Sequence, residues 1–359
     1  MIHDEYTVRD RLEGEEYERL SPLSAKAAEA VRPVPDEESP VRTAFQRDRD
    51  RIIHSKAFRR LKHKTQVFIG PINDHYRTRL THTLEMSQIA RTVARALRMN
   101  EDLTEVVALA HDLGHTPFGH AGEDVLREIY DPSFKHNRQS LRIVDYLANE
   151  GRGLNLTNDV RRALVASTPV EEGLDAEGKG YDSLESKIVK LADTIAYINH
   201  DTDDALRARI IKQSDIPAIV SDVLGVSNSQ RINTLVTDII EQNWHIAYPG
   251  PDLAARDRCS VELTISPHIQ EAADILKQFL YQRVYTGSEA KAEVHKIEHL
   301  IQTLFDYFCA HIDELPPEMK ANPRHESNER LVADYIAGMT DRFAIATFER
   351  LFVPRSWDS

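Results

Sequence analysis

The chain has 359 residues, of which 45 are lysine or arginine and 58 are aspartate or glutamate, giving a formal net charge of −13 at pH 7. This length allows a large buried core, and the acidic balance would repel nucleic acid and anionic membranes at long range. Nucleic acid is therefore a possible but disfavoured partner, no membrane association is expected, and any phosphate must be bound by local groups.

The composition predicts an all-α fold. There are 14 glycines, and long stretches rich in Ala, Leu, Glu, Arg and Ile contain no two-residue hairpin signal. In chain order, we predict an N-terminal arm over residues 1–46, a catalytic domain over 47–215, and a C-terminal helical region packed on the core over 216–359.

A helical period of apolar residues marks the elements in order. The first predicted helix runs from Leu80 to Leu97 with His82 on its buried side, and the second from about Leu103 to Asp112 with Asp102 as its N-cap. Further helices are predicted around 141–147 and over 184–200, 234–242, 268–282, 291–311 and 328–348, with loops at 70–74 and 169–182.

Three features predict a cytoplasmic protein. Cys259 and Cys309 lack CxxC and metal-ligand spacing, which is typical of reduced thiols. The first five residues are acidic where a signal peptide would be basic and then apolar, and no run of 18 apolar residues predicts a membrane span.

The segment ALAHDLGH, residues 108–115, ends an apolar helix with a histidine and an aspartate. A metal ion would account for them, because coordination offsets the desolvation that burying unpaired polar groups would cost. Such a dipeptide alone indicates little, since the chain has 16 histidines and a second pair at His200 and Asp201, and an ordinary structural role is the alternative for both.

The positions of two further residues favour the metal. His82 lies on the buried side of the preceding helix, and Asp193 lies inside the apolar stretch 188–196, where an unpaired carboxylate would be destabilising. Together with His111 and Asp112 they could meet in the core of one helical bundle. Two nitrogen and two oxygen ligands would leave coordination sites open for water and phosphate.

Several long segments in a fixed order resemble the HD phosphohydrolase superfamily and, within it, the deoxyguanosine triphosphate triphosphohydrolase branch. They are RIIHSKAFRRLKHKTQVF, YRTRLTHTLEMSQIAR, LAHDLGHTPFGHAGE, FKHNRQSLRIV, LADTIAYINHDTDD and DYIAGMTDR, within residues 44–209 and 330–342. The resemblance implies an HD-domain helical bundle with additional C-terminal helices. It also implies metal-dependent hydrolysis of deoxynucleoside triphosphates, dGTP or several dNTPs, to deoxynucleoside and inorganic triphosphate.

The resemblance assigns roles to individual residues. The four candidate ligands match the family's metal ligands, and the expected cofactor is one divalent ion per chain, Mg²⁺ or Mn²⁺ first, with Ni²⁺, Fe²⁺ or Zn²⁺ as alternatives. His120 matches the catalytic histidine and Glu123 the acid that orients it, and their three-residue step would place them on one helix face. His115 and His136 are implied to contact phosphate or to handle protons.

Four residues match substrate contacts of the family. Tyr197 matches the tyrosine that packs on deoxyribose, Asp201 and Gln66 match the residues that bind the 3′-hydroxyl, and Arg79 matches the arginine that contacts the α-phosphate and base. Asp193, Tyr197 and Asp201 follow at i, i+4 and i+8, so one helix face can carry all three. Without the resemblance, Tyr197 reads equally as a core aromatic and Arg79 as a solvated charge.

The sequence departs from the family at two positions. Thr194 and Lys190 stand where relatives commonly have acids, which leaves the preferred nucleotide open. The basic run over 59–64 suits active-site phosphates, an activating dNTP between subunits of the expected homo-oligomer, or a solvated helix face.

Two other functions are weighed against this one. A 5′-nucleotidase or cyclic nucleotide phosphodiesterase of the same superfamily could use a second metal held by His115, His120 or His136. A metal-stabilised nucleic-acid-binding protein without turnover is the alternative from a different class. The acidic charge and the pairing of His120 with Glu123 favour the enzyme.

Overall fold

The computed structural model describes residues 7–66, 77–165, 183–285, 288–320, 324 and 326–354. Throughout these ranges the regular structure is helical, apart from one isolated antiparallel bridge between Thr65 and Thr78. The predicted all-α fold is therefore confirmed. The loops predicted at 70–74 and 169–182 lie outside the described residues.

Helices longer than one turn account for most of the described chain. Their bounds are Val8–Arg19, Ala44–Ile53, Lys56–Arg60, Arg79–Ala96, Glu101–Ala110, His120–Ile129, His136–Arg142, Asn158–Val165, Leu184–Arg207, Ala218–Val223, Asn228–Gln242, Pro267–Leu280, Ser288–Ala310, Asn328–Ala337 and Asp341–Phe352. The helices His136–Arg142 and Pro267–Leu280 continue into π-helical turns at Ile143–Leu147 and Tyr281–Tyr285. Single helical turns occur at Trp244–Ala247, Pro251–Ala254 and Pro317–Lys320, whereas Ala148–Gly151 is a turn with positive φ at Asn149 and Glu150.

The second predicted helix begins and ends earlier than expected. It spans Glu101–Ala110, and its N-cap is Asn100, whose side chain accepts a hydrogen bond from the amide of Leu103. Asp102 was the wrong cap, because its carboxylate accepts instead from the side chains of Gln46 and Arg49. Which residue caps a helix thus depends on its tertiary contacts as well as on the intrinsic preference of the residue for the N-cap position.

The helix predicted over 328–348 is two helices. The first, Asn328–Ala337, ends at Gly338, and the second, Asp341–Phe352, begins after Thr340. The Thr340 hydroxyl accepts from the amide of Phe343, which is the usual N-cap bond. A glycine followed by a capping threonine is a stop and restart signal that an uninterrupted apolar period conceals.

The contacts divide the chain into two compact units. The first comprises residues 1–54, 82–111 and 155–285, and the second comprises 55–81, 112–154 and 286–359. Each unit combines segments that lie far apart in the sequence. The boundaries at 46/47 and 215/216 stay a prediction.

In the first unit, the helix Glu101–Ala110 is packed on several sides. It contacts the helices Ala44–Ile53, Asn158–Val165 and Leu184–Arg207. Seven of its ten residues are buried, as its apolar sequence EDLTEVVALA requires. His111, at its C-terminal end, is therefore attached to a helix fixed by apolar burial.

The second unit has a core built on the long helix Ser288–Ala310. This helix packs against His120–Ile129, Asn328–Ala337 and Asp341–Phe352. The buried side chains of this core include Phe118, Val125, Leu126, Phe134, Ile297, Ile301, Leu304, Phe308, Val332 and Ile336. The helix that begins at His120 is thus anchored by an apolar face beneath its polar first turn.

Gly114 marks a close approach of two segments in the second unit. A Cβ at this position would lie 2.2 Å from the carbonyl oxygen of His136 and 2.2 Å from the amide nitrogen of Ser140. We expect Gly114→Ala to lower the free energy of unfolding by about 1–3 kcal/mol, because backbone atoms cannot move aside as a flexible side chain can. Denaturant unfolding would measure the change.

Gly14 provides the matched control, since it lies inside the helix Val8–Arg19 at a position where an added Cβ would meet nothing within 4 Å. Gly14→Ala should raise the free energy of unfolding by about 0.5–1 kcal/mol. Equal stability of Gly114→Ala and the unmodified protein would contradict the close packing described.

Candidate active site

Three predicted metal ligands come together in the first unit. The ligand atoms of His82, His111 and Asp193 all lie within 4.8 Å of one another. Asp193 Oδ1 is 3.1 Å from His82 Nε2 and 3.8 Å from His111 Nε2. Three separate segments thus supply two imidazole nitrogens and one carboxylate oxygen to a small volume, which is a donor set suited to a divalent cation.

The orientation of His111 is fixed by its own helix. Its Nδ1 lies 2.7 Å from the carbonyl oxygen of Ala108, which can only accept a hydrogen bond. Nδ1 must therefore carry the hydrogen, and in the neutral ring Nε2 keeps its lone pair. That lone pair is on the nitrogen that faces Asp193.

Asp193 is less buried than the sequence indicates. Its side chain is 45% exposed, although it lies in an apolar stretch of the helix Leu184–Arg207. The expectation of a buried carboxylate was wrong, because Lys190, Asp193, Thr194 and Tyr197 recur at helical spacing and form one stripe that is not fully covered. Asp193 is therefore the most exposed of the three ligands, since the side chains of His111 and His82 are 17% and 1% exposed.

Asp112, the fourth predicted ligand, contacts Arg79 and His115 in the second unit. Its Oδ2 accepts a hydrogen bond from Arg79 Nη1 at 2.7 Å, and its Oδ1 is 3.2 Å from His115 Nε2. Arg79 is 2% exposed, so the alternative of a solvated charge is wrong. The Nε of Arg79 has no hydrogen-bond partner among the described residues, which leaves this buried cation with donor capacity to spare. The ligand role of Asp112 stays a prediction.

A second group of polar side chains lies in the second unit. It comprises His115, His120, Glu123 and His136, whose ligand atoms also lie within 4.8 Å of one another. The rings of His115 and His136 are stacked, with centroids 3.9 Å apart and an interplanar angle of 10°. Glu123 Oε2 is 2.7 Å from His136 Nδ1 and 3.8 Å from His120 Nδ1. Glu123 Oε2 is therefore hydrogen-bonded to His136, with His120 at ion-pair distance, while Oε1 accepts from Arg127 Nη2 at 3.0 Å.

Electrostatic interactions favour an ionised Glu123 beside these rings. Burial would raise the pKa of Glu123, but interactions with His120 and His136 outweigh burial and hold the pKa well below its usual 4.5. Burial, followed by the charge of Arg79, lowers the pKa of His115 well below 6.5. His115 Nδ1 is buried with no hydrogen-bond partner among the described residues, as expected of an atom reserved for a ligand.

His120 is the accessible member of the group, with 69% of its side chain exposed. It begins the helix His120–Ile129, after Gly119 with φ 62° and ψ −129°. A Cβ on Gly119 would lie 2.6 Å from Arg79 Nη2, so both the backbone conformation and the close approach require glycine. Phe118 also has a positive φ of 61°, which is uncommon for a bulky residue.

The strained loop before His120 is held by Asp341. Asp341 Oδ1 accepts from the amide of Phe118 at 2.9 Å, and its Oδ2 accepts from the amide of Thr65 at 2.9 Å and from the Thr65 hydroxyl. Asp341 belongs to the segment DYIAGMTDR, whose chemistry the sequence leaves unexplained. The sequence contains no signal for this role, because the partners lie more than 200 residues away.

Buried Lys64 holds the same region. Its ammonium group donates to the carbonyl oxygens of His115 and Ala337. Burial lowers the pKa of Lys64 to about 7, only partly opposed by the nearby charge of Asp341. Lys64 is therefore not available for the phosphate or nucleotide contacts considered for the basic run over 59–64.

Two predicted sugar contacts lie together in the first unit. Tyr197 and Tyr285 have ring centroids 5.9 Å apart, and the hydroxyl of Tyr285 donates to Asp201 Oδ2. Burial raises the pKa of Tyr197 to about 12, so its hydroxyl stays protonated at neutral pH. Tyr285 was not predicted, since its π-helical turn brings it to Asp201 across 84 residues.

Gln66, the remaining predicted contact, is half-buried. Its Oε1 is buried without a hydrogen-bond partner among the described residues. An unpaired buried acceptor is unusual and is consistent with a group that binds a ligand hydroxyl.

The low pKa of Glu123 predicts a pH-dependent contribution to stability. A carboxyl group with a depressed folded-state pKa stabilises the fold above its unfolded pKa, here 4.5, and loses this contribution as pH falls through its folded value. Glu123→Gln should therefore be less stable than the unmodified protein at pH 7, and the difference should shrink below about pH 4.5.

Unfolding curves between pH 3 and pH 7 would measure this difference. Glu128→Gln, an exposed position on the same helix, is the matched control and should differ little from the unmodified protein at any pH. A constant difference between Glu123→Gln and the unmodified protein across this range would contradict the electrostatic assignment.

Comparison with known proteins identifies the class. The HD domain matches residues 79–198, and the phosphohydrolase-associated domain matches residues 263–350. The first match contains His82, His111 and Asp193 as well as the second histidine group. The fold and these matches define an HD-domain phosphohydrolase, as the sequence motifs predict.

Relatives extend the match to almost the whole chain. A deoxyguanosinetriphosphate triphosphohydrolase-like protein of Caldanaerobacter subterraneus subsp. tengcongensis is 47% identical over 351 residues, covering 98% of this chain and 97% of the relative. Proteins of the same name from Desulfatibacillum aliphaticivorans and Clostridium tetani are 41% and 40% identical, covering 97% and 99% of this chain and 99% of each relative. The chain belongs to the deoxyguanosinetriphosphate triphosphohydrolase-like family.

Among the described helices, none combines the length and apolar character that crossing a bilayer requires.

Proposed function

We propose that this protein hydrolyses deoxynucleoside triphosphates, dGTP or several dNTPs, to deoxynucleoside and inorganic triphosphate with the help of a divalent metal ion. The observation that supports this best is the convergence of His82, His111 and Asp193 from separate segments. The relatives are named deoxyguanosinetriphosphate triphosphohydrolase-like proteins, and these names support the choice of substrate.

The residues of the first unit fit a divalent ion. His82 Nε2, His111 Nε2 and Asp193 Oδ1 are mutually close, and the hydrogen bond of His111 to Ala108 directs its Nε2 lone pair to the group. Asp112, which directly follows His111 in the chain, is the proposed fourth ligand. When bound, the ion supplies Lewis acidity toward a phosphoryl oxygen. Mg²⁺ or Mn²⁺ is favoured, with Ni²⁺, Fe²⁺ or Zn²⁺ as alternatives.

The chain itself would bind and protonate the substrate. Arg79 has donors to spare after its bond to Asp112, and its planar fork suits a phosphate. Water would attack the α-phosphorus, and the exposed imidazole of His120 would protonate the departing 5′-oxygen. Glu123 would hold His120 and His136 near their working positions, and His115 would contact phosphate.

The helix Leu184–Arg207 would recognise the sugar. Tyr197 is proposed to pack on deoxyribose where a 2′-hydroxyl would clash, while Asp201 and Gln66 bind the 3′-hydroxyl. The carboxylate of Asp201 already accepts a hydrogen bond from the hydroxyl of Tyr285. A bound 3′-hydroxyl would therefore have to share Asp201 with Tyr285 or displace it.

One observation supports an alternative within the superfamily. The group of His115, His120, Glu123 and His136 has a geometry that could hold a cation. A two-metal 5′-nucleotidase or cyclic nucleotide phosphodiesterase would use it in that way. Metal analysis that finds two ions per active chain, with release of orthophosphate or cleavage of cyclic nucleotides, would favour this alternative.

The resemblance also supports a homo-oligomer with an activating dNTP between subunits. Within the basic run, Arg59 and Lys62 are exposed and would be available for such a ligand, unlike Lys64. Light scattering with and without each dNTP would test both assembly and activation.

Replacing His120 tests the proposed chemistry. His120→Ala should lower kcat by about 10²–10⁴-fold, the usual contribution of a general acid, while Mn²⁺ binding is retained. The assay offers each dNTP alone and in mixtures, with Mg²⁺ or Mn²⁺, and identifies released triphosphate.

His268→Ala is the matched control, because His268 is an exposed histidine on the helix Pro267–Leu280. Its kcat should equal that of the unmodified protein. Full turnover by a folded His120→Ala variant would overturn the role of His120.

A further inference from the structure

The buried imidazole of His82 has neighbours at both ring nitrogens. Its Nε2 is 3.1 Å from Asp193 Oδ1, on the side of the proposed metal ligands. Its Nδ1 is 3.2 Å from His200 Nδ1, and the two rings are nearly perpendicular, with an interplanar angle of 87°. His200 is buried as well. One of the two facing nitrogens must therefore donate a hydrogen and the other must accept it.

A carboxylate decides which nitrogen donates. His200 Nε2 lies 2.8 Å from Glu85 Oε2, and an ionised carboxylate only accepts. His200 Nε2 therefore carries a hydrogen, and in the neutral ring His200 Nδ1 keeps a lone pair. That lone pair can accept from His82 Nδ1–H. By the same rule Asp193 Oδ1, 3.1 Å from His82 Nε2, would place a hydrogen on Nε2 when no ion is bound, but an ion shared by His82 and Asp193 requires the Nε2 lone pair. With the ion bound, the hydrogen of neutral His82 therefore lies on Nδ1 and is donated to His200.

The opposite arrangement is incompatible with the proposed metal site. If His200 Nδ1 donated to His82 Nδ1, the hydrogen of the neutral His82 ring would lie on Nε2, directed at Asp193. Nε2 could then not bind a cation.

We infer that Glu85 and His200 are positioning residues that fix the tautomer and ring orientation of His82 for metal binding. This inference rests on the metal site of the proposed function. Glu85, His200 and His82 form a carboxylate–imidazole–imidazole relay. In this relay Glu85 and His200 do not bind the metal, but they set the basicity and the orientation of His82, which does. It also gives a role to His200, which the sequence leaves as an ordinary structural histidine beside Asp201.

Mn²⁺ titration of the full chain tests the inference without measuring turnover. His200→Phe keeps an aromatic ring but removes the acceptor, and it should raise the Kd for Mn²⁺ by about 10–100-fold, as loss of an outer-shell partner usually does. His200→Asn should raise the Kd less, since its Oδ1 can take the place of Nδ1 as acceptor. Glu85→Ala should also weaken binding, although less than His200→Phe, because Glu85 is 45% exposed.

A second histidine–glutamate pair provides matched controls. His295 Nδ1 is 2.8 Å from Glu298 Oε2, and both side chains are exposed. His295→Phe and Glu298→Ala should leave the Kd for Mn²⁺ unchanged. Thermal unfolding without metal would show that each variant is folded. If His200→Phe does not fold, Glu85→Ala tests the inference instead, because Glu85 is at a more exposed position.

The outcomes are distinct. Weaker Mn²⁺ binding by His200→Phe, with partial recovery in His200→Asn, supports the relay. A folded His200→Phe or Glu85→Ala that binds Mn²⁺ like the unmodified protein overturns it, and so does a His200→Asn as weak as His200→Phe. If the unmodified protein binds no Mn²⁺, Mg²⁺, Ni²⁺, Fe²⁺ or Zn²⁺, the metal proposal itself fails before any variant is compared.

Discussion

The positions of the hydrogens on the imidazole rings organise the proposed metal ligands, because a ring nitrogen that donates to the protein leaves the other nitrogen with a lone pair. In the first unit, His111 donates to a carbonyl of its own helix, and His82 is flanked by His200 and Asp193. In each ring Nδ1 is hydrogen-bonded within the protein, so Nε2 faces Asp193 and the proposed metal. The ligand geometry is therefore a consequence of hydrogen bonds made elsewhere on the same rings.

In the second unit, a charged group orders the imidazole rings. The ionised carboxylate of Glu123 lies against His136 and near His120, while His115 stacks on His136 and contacts Asp112. One arrangement lowers both pKa values: imidazole groups stabilise the carboxylate of Glu123, while burial and the charge of Arg79 disfavour a charged His115. At neutral pH Glu123 is therefore a carboxylate and His115 a neutral imidazole.

The C-terminal segment DYIAGMTDR acquires a physical role from the same unit. Asp334 accepts from Arg142, Arg330 and Gln139, the carbonyl of Ala337 accepts from Lys64, and Asp341 accepts from Phe118 and Thr65. These bonds hold the loop that precedes His120 and the helix that begins at His136. A segment near the end of the chain is therefore part of the framework of the histidine group, and this agrees with the joint presence of the HD domain and the phosphohydrolase-associated domain.

The sequence by itself determined the helical fold, the positions of the longest helices, the family and the identity of the polar residues, because helical periodicity and motif order are local properties. It misplaced the cap of the helix Glu101–Ala110, missed the break at Gly338 and overestimated the burial of Asp193, since each depends on partners or coverage distant in the chain. Only the tertiary structure decided that Glu123 bonds His136, that Tyr285 meets Asp201, that Asp341 holds Phe118, and that His200 connects Glu85 to His82. These hydrogen-bond partners are separated by 13 to 223 residues and leave no periodic trace, because their meeting depends on how packed helices bring their ends together.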